Sequence, residues 1–140
     1  MYERKIPLTI DCGLHLTREV LNGKWKPALL KAISLDIKRP SQMLRLLPDA
    51  TRRVLNVQLK ELEMHGMVEK KIFPQLPPKV EYSLTAIGWS LMPIIDAMDQ
   101  WGDANRSFLE TVITQDPKIT QTAKSACLAY GQITIERKTG

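Results

Sequence analysis

Apolar residues recur at two different spacings along this chain, and the changes between them divide it into elements. Up to residue 66 the spacing is helical. In CGLHLTREVLN (12–22) the apolar positions include Leu14, Val20 and Leu21, and Gly23 follows; the flanks of Asn22-Gly23 do not alternate as hairpin strands would, so a short helix is predicted. The next run supplies Trp25, Leu29, Leu30 and Ile33, with Pro27 in the first turn, where its missing N–H costs nothing. Pro40 opens a third short helix carrying Met43, Leu46 and Leu47, and Pro48 stops it. In TRRVLNVQLKELEMHG (51–66), Leu55, Leu59 and Leu62 stand at i, i+4 and i+7 on one side of a fourth helix. Thr51 is placed to cap its start, and Gly66 to end it in the left-handed conformation.

Beyond residue 66 the period drops to two. MVEKKIFP (67–74) and VEYSLT (80–85) read as a pair of strands, with Val80, Tyr82 and Leu84 on one face and Glu81 and Ser83 on the other. Pro77-Pro78 predicts a stiff, extended tip between them. Helical spacing then returns: Thr85 can cap a helix in which Ile87, Leu91, Ile94, Ile95, Met98 and Trp101 form a broad apolar stripe, with a kink expected at Pro93 and a continuation towards Val112. That stripe exceeds what a small three-helix core covers, so part of it is expected to pack on a second subunit. After Pro117 the chain is polar and weakly patterned; the pattern allows a short helix around Thr122 to Tyr130.

At 140 residues the chain is sized for one domain with a sufficient core. The N-terminus lacks a basic segment followed by an apolar run, and no apolar stretch approaches 20 residues, so a cytoplasmic protein without a membrane partner is expected. Cys12 and Cys127 match no zinc-ligand spacing, so reduced thiols and no structural metal are expected. The net charge of +5 conceals a polarity: residues 1–80 hold 15 Lys and Arg against 8 Asp and Glu, and residues 81–140 hold 5 against 7. Such a chain suits one face to a polyanion.

The fourth helix sharpens that expectation. Acidic residues normally favour a helix start, yet Arg52 and Arg53 fill this first turn. Solvation accounts for surface arginines in general; a docked phosphate would pair both guanidinium groups and the free N–H groups with one charge. The surroundings favour the phosphate. A short helix, a tight Asp49-Ala50 connection and a second helix with a basic outer surface make a helix-turn-helix, although a plain helical hairpin has the same outline. Lys70, Lys71 and Lys79 would make the following hairpin a basic wing that meets phosphates; a solvated edge hairpin is the plainer alternative.

GKWKPALL from Gly23, the run VLNVQLKELEMHGMVEKKIFPQLPPKVEYSLTAIGWSLMPIIDAMDQWG (54–102) and a lone cysteine before the first helix together resemble the HxlR-type winged helix-turn-helix regulators, relatives of the MarR group. The resemblance covers about residues 12 to 102. It implies a mainly α fold with a small β-hairpin (α+β), in which 1–11 form an N-terminal arm, 12–102 the winged helix-turn-helix domain and 103–140 a C-terminal helix extension and tail. It also implies a homodimeric transcription regulator binding double-stranded DNA at a near-palindromic operator, with a repressor as the first expectation. Carried onto this chain, the DNA contacts would be Thr51, Arg52, Arg53, Asn56, Val57 and Lys60, with Lys70, Lys71 and Lys79 on the wing. Two departures stand out: Gly13 replaces a proline frequent in relatives, and the tail after Trp101 is long.

Some members of that family sense oxidants or electrophiles through the N-terminal cysteine, so Cys12 becomes the candidate sensor and a small-molecule or oxidant inducer the candidate signal. The start of a helix favours the reactive thiolate while Asp11 opposes it, and a half-buried structural thiol is the competing reading. His15 and His65 are expected at the surface or at caps, since no third or fourth metal ligand lies at usable spacing. Paired catalytic carboxylates, a nucleophile with its base and a Gly-rich phosphate loop are all missing from the sequence, so neither an enzyme nor a cofactor is expected. The remaining competitor is a winged-helix module that contacts only proteins.

Overall fold

The computed structural model describes residues 7, 8 and 10–116, and the helix considered around Thr122 to Tyr130 lies outside them. Six helices and one hairpin follow in the order α1 (Gly13–Val20), α2 (Lys26–Ser34), α3 (Pro40–Leu46), α4 (Arg52–Met64), β1 (Val68–Phe73), β2 (Lys79–Leu84), α5 (Ala86–Ala104) and α6 (Arg106–Thr114). The fold is a winged helix-turn-helix. Leu29, Leu30 and Ile33 of α2, Met43 and Leu47 around α3, and Leu55, Leu59 and Leu62 of α4 meet in one core, closed by Met67, Val68, Tyr82, Met92 and Ile95. Each fully buried aliphatic side chain here contributes roughly 1.5–3 kcal/mol by leaving water.

Local chemistry sets the boundaries. The Thr51 hydroxyl accepts from the Val54 N–H at 3.2 Å and starts α4. At its far end Gly66 has φ +80, its N–H donates to the Glu63 carbonyl, and the Met67 N–H reaches back to Leu62. This Schellman closure turns the chain straight into β1. The same closure ends α2, where Asp36 takes the left-handed position (φ 69) that glycine usually fills.

The strands pair antiparallel, with Lys70 opposite Tyr82 and Lys71 opposite Glu81. The loop before α3 leans on this hairpin, since the Tyr82 N–H donates to the Lys38 carbonyl at 2.9 Å. The Thr85 hydroxyl caps α5 by accepting from Gly88 N–H and also donates to the Gly66 carbonyl at 2.6 Å. Hairpin and α5 are thus locked to the end of α4. Pro93 does not end α5, and Lys31 of α2 pairs with Asp96 of α5 at 2.6 Å.

Three sequence expectations need correction. Helix α5 carries two apolar faces where one broad stripe was expected: Gly88, Met92 and Ile95 point into the core, and Ile87, Ile94, Met98 and Trp101 lie roughly 120° around the helix, exposed. Ile95, expected at a subunit contact, is therefore taken up by the chain's own core, and Leu91 packs half-buried against it. The helical run towards Val112 breaks at Asn105, which closes α5 and starts α6. Of the apolar positions that predicted the first helix, Leu14 stands 81% exposed, whereas Val20 and Leu21 do reach the core.

Candidate nucleic-acid interface

Once Leu55, Leu59 and Leu62 anchor α4, its geometry dictates what is left outside. Arg52, Arg53, Asn56, Val57 and Lys60 of α4 are all exposed, as is its cap Thr51. Both arginines stand in the first turn, beside free backbone N–H groups. Val54 and Met64 widen the apolar part of this surface.

What holds α4 in place was invisible in the sequence. Lys26, at the first position of α2, is only 1% exposed, and its ammonium meets the Glu61 carboxylate at 2.5 Å. One turn earlier the Gln58 side-chain oxygen accepts the Trp25 N–H at 2.9 Å. Gly23 makes room for this contact, because a Cβ there would stand 3.0 Å from that oxygen. The start of α2 thereby clamps the middle of α4. Beside the clamp lies a cleft of about 230 Å³, lined by Asn22, Gly23, Arg53, Val54, Val57, Gln58 and Glu61. A lysine in a first helical turn gives no sign of burial in the sequence; the only hint was Glu61 on the flank of α4.

The wing departs from the sequence reading in its detail. Strand alternation sends Lys70 and Lys71 to opposite faces, so the two exposed lysines do not present one joint charge. Lys79 is partly occupied: it pairs with Glu81 at 3.2 Å and lies 4.9 Å from the centre of the Phe73 ring, over which Lys71 also sits at 5.0 Å. The Lys79 hydrogen bond holds the Glu81 carboxyl below its ordinary value against the opposing effect of burial, and Arg39 and Lys38 add to the lowering. Arg39 approaches Glu81 at 3.7 Å from the start of α3. Lys38 and Arg39 therefore join Lys79 in one basic area around Glu81, which sequence spacing did not group. At the tip, the peptide between Leu76 and Pro77 is cis and Leu76 is almost fully exposed.

Residues 20–109 match the HxlR-like helix-turn-helix family. The chain belongs to that family. An HTH-type transcriptional regulator of Bacillus subtilis, YybR, is 43% identical over 113 residues, which is 79% of this chain and 90% of the relative. Among solved structures, the redox regulator HypR in its reduced form superposes with a TM-score of 0.67 at 42% identity, covering 71% of this chain and 99% of that one. YodB from B. subtilis, 28% identical, superposes with a TM-score of 0.54 in its reduced form, covering 67% of this chain and 93% of that one, and of 0.53 after diamide treatment, covering 69% and 96%. Like these relatives, this HxlR-family chain is a helix-turn-helix transcription regulator with a MarR-like winged fold. Among the described residues no helix is long and apolar enough to cross a membrane.

Two further groups bear on this family's chemistry. Cys12 is exposed, so it is no half-buried structural thiol. The second is the outer face of α5, where Ile94, Ala97, Met98 and Trp101 line a shallow apolar hollow of about 440 Å³; Phe108, Val112 and Ile113 of α6 are exposed as well.

Proposed function

We propose that this HxlR-family protein regulates transcription by binding duplex DNA as a homodimer, each α4 lying in a major groove. The single observation that carries the reading is the outer face of α4: seven exposed residues lie between Thr51 and Lys60, with two arginines where the helix dipole already attracts anions. Arg53 and Asn56 have the donors to read base edges, Val57 can meet a thymine methyl, and Arg52, Lys60 and the wing lysines can hold phosphates. Lys38 and Arg39 belong with the phosphate contacts.

The dimer is supported by the second apolar face of α5. Ile87, Ile94, Met98 and Trp101 are too large and too close together to be left in water on a stable monomer, and a copy of the same face would cover them. Such pairing places two α4 helices on half-sites about one helical turn, roughly 10 bp, apart or a multiple of it. An oxidant or electrophile would enter through Cys12, the exposed thiol; HypR has been solved in both reduced and oxidized forms. The test is selection of duplexes from a random pool, followed by sedimentation and a salt series on the selected site. The reading requires a near-palindromic site, a two-chain complex and an affinity that falls steeply with salt. A monomer on one asymmetric site would refute the dimer, and salt-insensitive or absent DNA binding would favour a winged-helix module for protein contacts.

A further inference from the structure

The start of α1 brings together three side chains that the DNA-binding reading does not use. Asp11 precedes the helix, Cys12 is its cap position and His15 follows one turn later, and one carboxylate oxygen, the Cys12 sulfur and an imidazole nitrogen all lie within 4.8 Å of one another. Spacing along the sequence offers His15 no third ligand; the fold brings Asp11 within reach. We propose that these three residues bind a borderline divalent metal ion, zinc before the others, at the head of α1.

The chemistry of the donors selects the ion. A thiolate, an imidazole and a carboxylate are the three zinc ligand types, whereas magnesium and calcium take oxygen donors. The Asp11 carboxylate and the Cys12 thiolate carry two negative charges, which match those of the ion. Around tetrahedral zinc, neighbouring ligand atoms stand roughly 3.4–3.8 Å apart, so closing the site requires movements of about 1 Å from side chains with no packing to resist them. Asp11 and Cys12 are exposed, and among the described residues no hydrogen bond or ion pair takes up any of these three side chains. The backbone fixes the spacing, since Cys12 is the extended N-cap of α1 and His15 its third residue, two positions whose side chains meet at a helix start. Three protein ligands leave the fourth position to water or to a further ligand.

Binding involves no electron transfer. The Cys12 thiol gives its proton to solvent, the sulfur forms the bond to zinc, and His15 coordinates through a neutral nitrogen. The geometry stands independently of the DNA reading and meets it at one point: a sulfur held by zinc is shielded from an oxidant that would use Cys12.

The experiment uses the full chain with Cys127→Ser, so that Cys12 is the only remaining thiol of the two in the sequence, under a non-thiol reductant. Zinc chloride is titrated against a competing chromophoric chelator, and the rate of Cys12 alkylation is followed with and without zinc. One zinc per chain is expected, with Cys12 alkylation slowed at least tenfold and restored by excess chelator. Affinity should fall at least tenfold in Cys12→Ser and again in His15→Ala, both of which change side chains outside the core and leave the fold intact by circular dichroism. Magnesium chloride should protect nothing. Equal zinc affinity in the parent and both variants, or an alkylation rate unaffected by bound zinc, would overturn the site; protection by magnesium would overturn the choice of metal.

Discussion

The clamp between Lys26 and Glu61 yields a prediction in which charge and packing give opposite signs. Deleting one partner of a fully buried pair costs about 3–5 kcal/mol, because the other charge is left without compensation. Lys26 is buried to 1% exposure, but the Glu61 side chain is 43% exposed and keeps part of its hydration, so the pair is half-open to water. Glu61→Ala should accordingly cost about 1–3 kcal/mol, most of it from stranding the ammonium. Lys26→Met removes the charge and keeps an unbranched side chain of similar volume, so it should lie within about 1 kcal/mol of the parent in either direction. The double variant should match Lys26→Met alone, so the coupling between the positions equals the cost of Glu61→Ala, about 1–3 kcal/mol. Urea denaturation at one fixed protein concentration measures all four chains, because subunit association would otherwise enter the comparison. If Lys26→Met costs as much as Glu61→Ala, the ammonium supplies stability by itself and the reasoning from desolvation fails.

Four other outcomes follow from the same geometry. Gly88→Ala should lose about 2–4 kcal/mol, since a Cβ there would lie 2.1 Å from the Met67 carbonyl oxygen and would force apart the end of α4 and the start of α5; a normal denaturation midpoint would contradict that contact. Burial, with Glu63 adding to it, pushes the Tyr82 phenol above its ordinary value, so the stability it lends is complete below about 10 and is lost as pH rises from there through the raised folded value; Tyr82→Phe should remove that alkaline loss in a denaturation series against pH. Arg53→Ala should cost about 1–3 kcal/mol on the selected operator and relax base preference, whereas Lys71→Ala should weaken all duplexes alike and lower the salt slope by about one, with a smaller effect from Lys79, already paired with Glu81; equal losses on specific and random DNA would merge the two roles. Trp101→Asp, on the exposed face of α5, should give a folded monomer in sedimentation, and an unchanged dimer would move the subunit contact elsewhere.

By itself the sequence determined everything that depends on a residue and its near neighbours along the chain. Period, caps and breakers act within a few residues: Leu55, Leu59 and Leu62 face one way because a helix turns every 3.6 residues, Thr51 caps α4 because its hydroxyl can reach the Val54 N–H, and Gly66 accepts the positive φ that ends the helix. The inward face of β2 was legible for the same reason, and so was the run of basic residues at the start of α4. Only the tertiary structure decided which of two apolar faces on α5 was the core. Ile94 and Ile95 are alike as residues, and α2 and the hairpin, arriving from elsewhere in the chain, cover one and leave the other in water. It also decided that Lys26 is buried, because the carboxylate that makes such burial tolerable lies 35 positions further on, in Glu61. The grouping of Lys38, Arg39 and Lys79 around Glu81 has the same origin, since a charge assigned to one element in the sequence acquires its partners only when the loop before α3 closes on the hairpin. Local sequence sets the direction in which a side chain points from its backbone, and the element packed across from it sets what that side chain meets.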